Sequence, residues 1–458
     1  MKKLSVTLIC VLSVLHAQLL KPFKTAMSII FVLFLLALSS CKKDNSTPVN
    51  NPTPKDTTLK VGSLSGTTLH YGDTLIIKGS NFSATAISNT VTINGVVATL
   101  QSAIATELKV IVPAVGAVNG EVKIKTGNQT ASGGNITYVP DVFIAGSQDN
   151  GAHPLATYWK NSTAVKLSTE ESALSSIFIN GNDVYAAGWE RTNNLQLANY
   201  WKNSIKTTLG TNASAANTIA VNGNDVHVGG WEIINGFDLP RYWKNGVGIT
   251  INVNDPIISQ VVTGNGACTG LYIKADNVYA VGSYRNSQGR FSPWEFTNGI
   301  TPANTIPNND KHCFASAVFV NGNDKYVAGN QNNATVGLAM ATIWKNGVAT
   351  TLTAGTASVG VATAVFLAGT DVYVAGYEQE DYFGGGPTFA KYWKNGVPIK
   401  LSTVSSSATG IAVFGNDVYV SGWENNGSYN IAKYWKNGVP VNLGNAVLNS
   451  SGNAIVVR

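Results

Sequence analysis

Residues 417–443 read DVYVSGWENNGSYNIAKYWKNGVPVNL, and this stretch decides the fold of most of the chain. Two runs rich in β-forming residues, DVYVSGW and IAKYWK, are followed by the shorter run VPVNL. Asn437-Gly438 separates the last two runs, and Asn-Gly suits a type I′ hairpin turn because both residues adopt positive φ. The stretch therefore predicts three antiparallel strands, joined by one longer loop and one tight turn.

The same stretch recurs along the chain, so the repeats must be counted before the fold is assigned. An element like DVYVSG begins at residues 141, 183, 225, 277, 324, 371 and 417. An apolar segment followed by an NGND-type turn also occurs seven times but is shifted by one, because the chain ends on NAIVVR alone. A tryptophan accompanies each repeat: Trp159, Trp201, Trp243, Trp294, Trp344, Trp393 and Trp435.

Four short strands per repeat are typical of a β-propeller blade, and seven repeats lie within the usual range of blade numbers. The segment NAIVVR would supply the innermost strand of the first blade and close the ring between the two ends of the domain. An open solenoid is the alternative, but it needs polar terminal repeats, and NAIVVR is apolar almost to its end. We therefore predict a seven-bladed β-propeller over residues 141–458, in which the repeated Tyr and Trp are buried scaffold.

Residues 59–139 show short alternating strands between turn residues, including a predicted hairpin at Asn94-Gly95. The features Gly72-Asp73, Gly79-Ser80-Asn81-Phe82, TELKVIVP and Asn119-Gly120 complete a set that resembles the IPT/TIG family. The resemblance implies an immunoglobulin-like sandwich that serves as a spacer or protein-binding module. The predicted fold class is all-β: an immunoglobulin-like sandwich followed by a seven-bladed β-propeller.

The first 40 residues look like a targeting region. The apolar run 27–41 ends in Leu38-Ser39-Ser40-Cys41 and resembles a bacterial lipoprotein signal, which implies that Cys41 is lipidated. An earlier apolar run, residues 4–20, is either a second signal-type segment or the result of a start assigned too far upstream. Residues 41–58 are polar, contain proline and read as a flexible tether. The expected location is the bacterial cell envelope, with a lipid anchor as the only membrane contact, at the outer membrane or cell surface.

Composition argues against a nucleic-acid partner. The formal charge is +6, but residues 1–40 contain four lysines and no acid, which leaves 27 basic and 25 acidic residues, a net of +2.

The histidines lack the spacing of metal ligands, and no catalytic constellation is recognisable. We therefore predict no catalytic residue, no metal and no cofactor, while the oligomeric state is left open.

Loops between the second and third strands of each blade vary in sequence, and such loops on a rigid frame are where ligands usually bind. Aromatic rings beside carboxylates suit sugars, since the ring stacks on the sugar and the acid accepts hydroxyl hydrogen bonds. The alternative is that these side chains pack between blades. The candidate ligand-binding residues are Trp189, Glu190, Trp231, Glu232, Tyr284, Tyr377, Glu378, Trp423 and Glu424.

The predicted function is non-catalytic binding of a glycan or another extracellular polymer. A protein-interaction or adhesion module is the second hypothesis, and a polysaccharide-degrading enzyme that uses the repeated glutamates is the third. Besides Cys41, only Cys268 and Cys313 lie beyond the targeting region, and an oxidising compartment would allow a disulfide between them.

Overall fold

The structure is a computed structural model that describes residues 55–251, 254–255, 260–261, 265–286, 288–298, 306, 312–333, 337–353, 358–383 and 385–458. The predicted targeting region, Cys41 and most of the predicted tether lie outside these residues. Residues Thr58–Arg458 form one compact unit, which contains both the sandwich and the propeller.

Nine strands and one 3-10 turn (Ala86–Ser88) build the N-terminal sandwich. One sheet has the strand order β1-β3-β7-β6 and the other β2-β9-β8-β4-β5. Asn94 and Gly95 have φ angles of 49° and 80° and form the predicted hairpin. The strands are β1 (Lys60–Leu64), β2 (Thr68–Leu69), β3 (Thr74–Ser80), β4 (Asn89–Ile93), β5 (Val96–Val97), β6 (Thr99–Ile104), β7 (Glu107–Ile111), β8 (Asn119–Thr126) and β9 (Gln129–Tyr138).

Seven antiparallel sheets form the blades of the propeller, and together with the sandwich they confirm the predicted fold class. The blade strands in chain order are β10 (Val142–Asp149), β11 (Pro154–Lys160) and β12 (Thr163–Lys166) in blade 1; β13 (Ser172–Asn180), β14 (Asp183–Thr192), β15 (Leu195–Lys202) and β16 (Ile205–Thr208) in blade 2; β17 (Ser214–Asn222), β18 (Asp225–Ile234), β19 (Phe237–Lys244) and β20 (Val247–Thr250) in blade 3; then, after the short pair β21 (Asn254–Asp255) and β22 (Gln260–Val261), β23 (Gly266–Lys274), β24 (Asn277–Arg285) and β25 (Phe291–Thr297) in blade 4; β26 (Cys313–Asn321), β27 (Asp324–Asn332), β28 (Ala339–Lys345) and β29 (Val348–Thr351) in blade 5; β30 (Val359–Ala368), β31 (Asp371–Gln379), β32 (Thr388–Lys394) and β33 (Val397–Lys400) in blade 6; and β34 (Ser406–Phe414), β35 (Asp417–Asn425), β36 (Asn430–Lys436) and β37 (Val439–Asn442) in blade 7.

The last strand, β38 (Ser450–Val457), belongs to blade 1, whose sheet order is β12-β11-β10-β38. β38 pairs with β10 from Val142↔Val457 to Gln148↔Ser450, and the backbones of Asp141 and Arg458 exchange two further hydrogen bonds. The two ends of the propeller sequence are therefore joined within one sheet. Blade 4 shows three strands among the described residues, and its expected fourth strand falls in a stretch outside them.

The repeated Asp, Lys and Asn form one polar cluster per blade, which explains most of the repeated motif. In blade 7, Asn437 Nδ2 donates to Asp417 Oδ1 over 2.7 Å, while Lys436 Nζ lies 2.8 Å from Asp417 Oδ2. Asn437 Oδ1 also accepts a hydrogen bond from the Val418 N–H. The same Asp, Asn and Lys arrangement occurs in blades 1, 2, 3, 5 and 6. This cluster fastens the turn after the third strand to the start of the second.

The seven tryptophans are fully buried, as predicted for scaffold. Six of them pair with the same position of the second strand, as Trp435 does with Val420. Trp294 is the exception, because the register of blade 4 pairs it with Gly282 and places Phe296 opposite Ala280 instead. The prediction that Trp294 is the equivalent of the other six was therefore wrong. In blade 4, Phe296 occupies the position that tryptophan has in the other blades.

Side-chain hydrogen bonds link the innermost strands of neighbouring blades. Each of these strands carries a β-bulge, and the extra residue at every bulge is polar: Ser175, Asn217, Thr269, Ser316, Thr363, Thr409 and Asn453. Five of these side chains donate to a backbone carbonyl of the next blade, as Thr269 Oγ1 does to Ala315 O over 2.7 Å. The bulges therefore add direct blade-to-blade hydrogen bonds to the hydrophobic packing.

The sandwich packs directly on the propeller at the seam where the ring closes. Tyr138 stacks on Phe414 with ring centroids 5.5 Å apart, and burial raises the pKa of Tyr138 to about 12. The guanidinium of Arg458 lies 4.2 Å from the ring centre of Tyr71 in the sandwich and also contacts Phe143 of blade 1. One hydrophobic core continues from the sandwich into blades 1 and 7.

The disulfide considered from the sequence is not formed. Cys268 and Cys313 are separate buried thiols. Cys268 packs with Trp294 and Tyr284, and its sulfur faces Gly229 of blade 3, whereas Cys313 packs with Val281 and Trp344. Their side chains point into different hydrophobic clusters, so the two sulfur atoms do not meet.

Candidate functional site

The variable loops share one face of the propeller, which we call the variable face. Consecutive strands of each blade are antiparallel, so the loops after second strands and the links between blades lie on the side opposite to the Asn-Gly turns. The sandwich contacts the other side, through Phe414 and Arg458 at the ends of β34 and β38. The variable face is therefore left uncovered by the sandwich.

A cavity of about 630 Å³ opens on the variable face. It is lined by residues of blades 3, 4, 5 and 6. Four aromatic rings and several hydroxyl, amide and carboxylate groups line it, a mixture typical of small-ligand sites. The residues that matter for its chemistry are Trp231, Asp238, Asn265, Ser283, Phe291, Phe314, Asn330 and Tyr377.

The cavity lies where one position of the repeat is small and polar, instead of aromatic, in two consecutive blades. Pairing with the first strand identifies the equivalent residue of each blade as Ser147, Trp189, Trp231, Ser283, Asn330, Tyr377 and Trp423. Blades 4 and 5 have Ser283 and Asn330 there, between Trp231 of blade 3 and Tyr377 of blade 6. The space that two more indole rings would fill is therefore available to a ligand, with one aromatic ring on each side.

Two further rings come from blades 4 and 5. Phe291 at the start of β25 and Phe314 in β26 lie with centroids 4.4 Å apart and an interplanar angle of 32°. Both side chains are only partly buried. They give the wall between Ser283 and Asn330 an apolar surface on which a flat ligand face can pack.

The cavity continues into the central channel, which has a volume of about 370 Å³. Thr269 and Ser316 line both spaces. Towards the sandwich side, Tyr272, Phe319 and Phe366 of consecutive blades contact in series, with centroids 4.5 and 5.4 Å apart. These rings lie at the end of the channel opposite to the variable face.

Tyr377 keeps its phenolic proton throughout the physiological range. Burial raises the pKa of this hydroxyl above its ordinary value. The ring lies at the cavity wall with its neighbour Val361. Tyr377 can therefore offer both an apolar ring face and a neutral O–H group to a ligand.

The four candidate glutamates do not face the cavity, because each follows its aromatic residue on a strand, where successive side chains point to opposite sides. Each is held in an ion pair within its own blade: Glu190 with Lys206, Glu232 with Arg241, Glu378 with Lys391 and Glu424 with Lys433. Glu232 lies 2.9 Å from the Arg241 guanidinium and also accepts the Thr211 N–H over 3.1 Å. The alternative that these acids belong to the scaffold describes them better, although as ion pairs within one blade and not as solvated groups; contact between these acids and a ligand stays a prediction.

Tyr284 is also misplaced by the sequence analysis. The register pairs Ser283 with Ala267, as Trp231 pairs with Ala215, so Tyr284 occupies the position of the glutamates. Its side chain is 2% exposed and packs in the core of blade 4 with Trp294 and Phe296. The prediction failed because the segment SYRN was aligned with the other repeats by its aromatic residue. The strand register shows instead that the residue after the glycine, Ser283, is the equivalent of Trp231.

Of the candidate aromatics, Trp231 and Tyr377 line the cavity together, while Trp189 and Trp423 are partly buried at the equivalent position of blades 2 and 7, outside its lining. Sequence reasoning missed Phe291, Phe314 and the polar residues. The available signal was the change to Ser283 and Asn330, which becomes visible once the repeats are aligned on their glycines.

Within the described ranges, no three His, Cys, Asp or Glu side chains are gathered as metal ligands would be. Among the same residues, no helix has the length and apolar character needed to cross a membrane.

Residues 59–139 match the IPT/TIG domain family, which confirms the resemblance stated for the sandwich. No curated protein matches the sequence.

Three solved structures similar to the chain share 10–12% sequence identity with it. A protein of unknown function from Bacteroides thetaiotaomicron aligns with a TM-score of 0.43, over 80% of this chain and 96% of its own. An auxiliary nutrient binding protein from the same organism aligns with a TM-score of 0.29, over 75% and 86%. The β-propeller domain of the Trilobed protease from Pyrococcus furiosus aligns with a TM-score of 0.37, over 76% and 97%.

Proposed function

We propose that the protein is an extracytoplasmic, lipid-anchored binding protein whose propeller cavity binds a neutral glycan. The observation that carries this proposal is the cavity between Trp231 and Tyr377, with polar side chains set among its aromatic rings. Aromatic faces pack on the C–H surface of a sugar ring, while amide and hydroxyl groups exchange hydrogen bonds with its hydroxyls. Lipidation of Cys41 and a place at the bacterial cell surface remain part of the proposal.

Charge favours a neutral ligand. Among the described residues that line the cavity, Asp238 is the one ionisable acid and none is Lys, Arg or His. An acidic sugar would therefore meet a carboxylate and no compensating cation, which disfavours its binding. A neutral sugar encounters no such repulsion, and Asp238 can accept hydrogen bonds from its hydroxyls.

The ion pairs of the glutamates favour binding over glycoside hydrolysis. A glycosidase needs two carboxyl groups that flank the scissile bond, one of them able to give up a proton. Glu190, Glu232 and Glu378 are buried beside Lys or Arg on the other side of their strands, so their carboxyl groups point away from the cavity. The repeated acids are therefore accounted for by the blade structure.

Glycan-array screening followed by calorimetry tests the proposal. Trp231→Ala and Tyr377→Ala should each weaken binding of the positive glycan by about tenfold or more, which corresponds to about 1.4 kcal/mol. Trp189→Ala removes the equivalent ring of blade 2, outside the cavity lining, and should leave affinity within about twofold.

The proposal is wrong if no neutral glycan binds, or if Trp189→Ala and Trp231→Ala weaken binding equally. Specific capture of a purified surface protein on the variable face, without glycan binding, would support the adhesion hypothesis instead.

A further inference from the structure

Large aromatic side chains are exposed on several loops of the variable face, and the most exposed ones lie on two loops that belong to blades 3 and 6. Phe237, at the turn between β18 and β19, is 42% exposed. Tyr382 and Phe383, in the loop between β31 and β32, are 46% and 70% exposed, with their rings 5.6 Å apart in an edge-to-face arrangement. Exposing such surface to water is unfavourable, so aromatics grouped on a loop point to contact with a ligand or partner.

These two loops belong to the blades that place the cavity aromatics. Phe237 directly precedes Asp238, which lines the cavity, and its blade supplies Trp231. The loop with Tyr382 and Phe383 follows β31, which supplies Tyr377, and Gln379 Nε2 donates to Gly386 O across the base of the loop over 2.6 Å. Blades 3 and 6 are three steps apart, the largest separation that a ring of seven allows. The exposed rings therefore flank the cavity from two distant blades.

We infer that the ligand is a glycan chain longer than the cavity, which runs across the variable face from Phe237 over the cavity to Tyr382 and Phe383. This inference rests on the proposed function and specifies the size class of its ligand. The cavity would hold the sugar units that are recognised by hydrogen bonds. The exposed rings would stack on further units of the same chain, where the repeating C–H faces of a polysaccharide offer the same surface again. A compact ligand confined to the cavity would leave these rings in water.

The cavity and the exposed rings would contribute differently to binding. The cavity combines aromatic rings with Asn265, Ser283 and Asn330, so it can distinguish hydroxyl positions. The exposed rings of the outer loop offer flat stacking surfaces, with Glu380 and Asp381 before them and Gly385 and Gly386 after them. An outer contact of this kind contributes affinity for any chain that reaches it and little discrimination between sugars.

A length series of one oligosaccharide tests the inference on the full protein. Cello-, xylo-, manno- and chito-oligosaccharides from disaccharide to octasaccharide are titrated by calorimetry, beginning with the type that is positive on the array. Affinity should rise with chain length for the natural sequence. Phe237→Ala and Phe383→Ala should lower affinity for the octasaccharide about threefold to tenfold and leave the shortest bound oligosaccharide unchanged.

Tyr429→Ala is the matched control. Tyr429 is 36% exposed on the corresponding loop of blade 7, which contributes no residue to the cavity, so this change should leave the length series unaltered. Affinity that does not change with length, or a loss that is equal for all lengths in Phe383→Ala, would overturn the inference and leave glycan binding in the cavity intact. Binding of none of the oligosaccharides, at any length, would overturn the proposed function itself.

Discussion

Individual residues that depart from the repeat mark the places where this propeller differs from a regular one. Ser283 and Asn330 replace an aromatic residue and open the cavity. His227 replaces the tyrosine found at the same register in five blades, at Tyr185, Tyr279, Tyr326, Tyr373 and Tyr419. Its Nδ1 lies 2.5 Å from the Tyr242 hydroxyl. The substitution introduces a titratable group into a packed site.

His227 should make the stability of the protein depend on pH between about 7 and 5. Burial, reinforced by the positive charge of Lys244 and opposed by Asp225, lowers the pKa of His227 in the folded state. The unfolded chain then binds a proton first, so stability is complete above the unfolded pKa of about 6.5 and is lost as pH falls towards the folded pKa.

Urea unfolding at pH 7 and pH 5 measures this effect, with His227→Tyr as the comparison because tyrosine is the residue of the other blades. The natural protein should lose up to about 1.4 kcal/mol more per pH unit than the variant in this window. All other histidines are present in both proteins and cancel. Equal pH dependence of the two proteins would contradict the assignment.

At the scale of the element, the hairpin after each third strand is fixed by its asparagine. Asn437 has a φ of 51° and satisfies two groups of the neighbouring turn, the Val418 N–H and Asp417 Oδ1. Asparagine tolerates this backbone conformation better than other residues with a side chain, and glycine tolerates it fully. The repeated asparagine therefore supplies both the positive φ angle and the side-chain hydrogen bonds that link the two turns.

Two substitutions at Asn437 separate these roles. Asn437→Gly keeps the backbone angle and loses the side-chain hydrogen bonds, so it should lower the free energy of unfolding by about 1 kcal/mol. Asn437→Ala should lower it by about a further 1 kcal/mol, because alanine is strained at positive φ. Chemical denaturation gives both values, and equal losses in the two variants would show that backbone strain plays no part.

At the scale of the whole molecule, ring closure and the docked sandwich meet at one seam. β38 completes blade 1, and the last residue, Arg458, contacts both Tyr71 of the sandwich and Phe143 of the propeller. Asp141, beside the seam, lies 3.3 Å from His70 of the sandwich and 3.1 Å from Lys160. Closure of the ring and attachment of the sandwich therefore depend on the same few residues.

Deleting residues 450–458 should lower the free energy of unfolding by about 5 kcal/mol or more, because an entire ladder and its buried side chains are lost. Calorimetry of the shortened protein should show a broadened transition at lower temperature. Adding a synthetic peptide of the deleted sequence should restore part of the loss, whereas a scrambled peptide should not. An unchanged melting temperature after the deletion would mean that the seam does not close the ring.

The local and periodic features of this protein were predictable from its sequence. Some features depend on residues near one another in the chain or on a regular period. They are the strand runs, the Asn-Gly hairpins, the seven repeats and the displaced last strand. The IPT/TIG resemblance of residues 59–139 was recognisable for the same reason, since turn residues at fixed spacing carry it. The residues Asp417, Lys436 and Asn437 also recur in every complete copy of the motif. Their contact could not be predicted until the pairing of the second and third strands was known.

Tertiary structure alone decided where the site lies and which residues form it. Trp231 and Trp189 are alike in sequence and each has a serine beside it in the ring, yet only Trp231 lines the cavity, which opens where two consecutive blades carry Ser283 and Asn330. Glu378 and Tyr377 are adjacent, yet the alternation of side chains along a strand places Glu378 in an ion pair with Lys391 and Tyr377 at the cavity wall. The sequence by itself determined a ring of seven blades with a sandwich before it, since those depend on short-range patterns. The cavity, the seam and the ion pairs depend on side chains brought together from different blades, and no short-range pattern records those contacts.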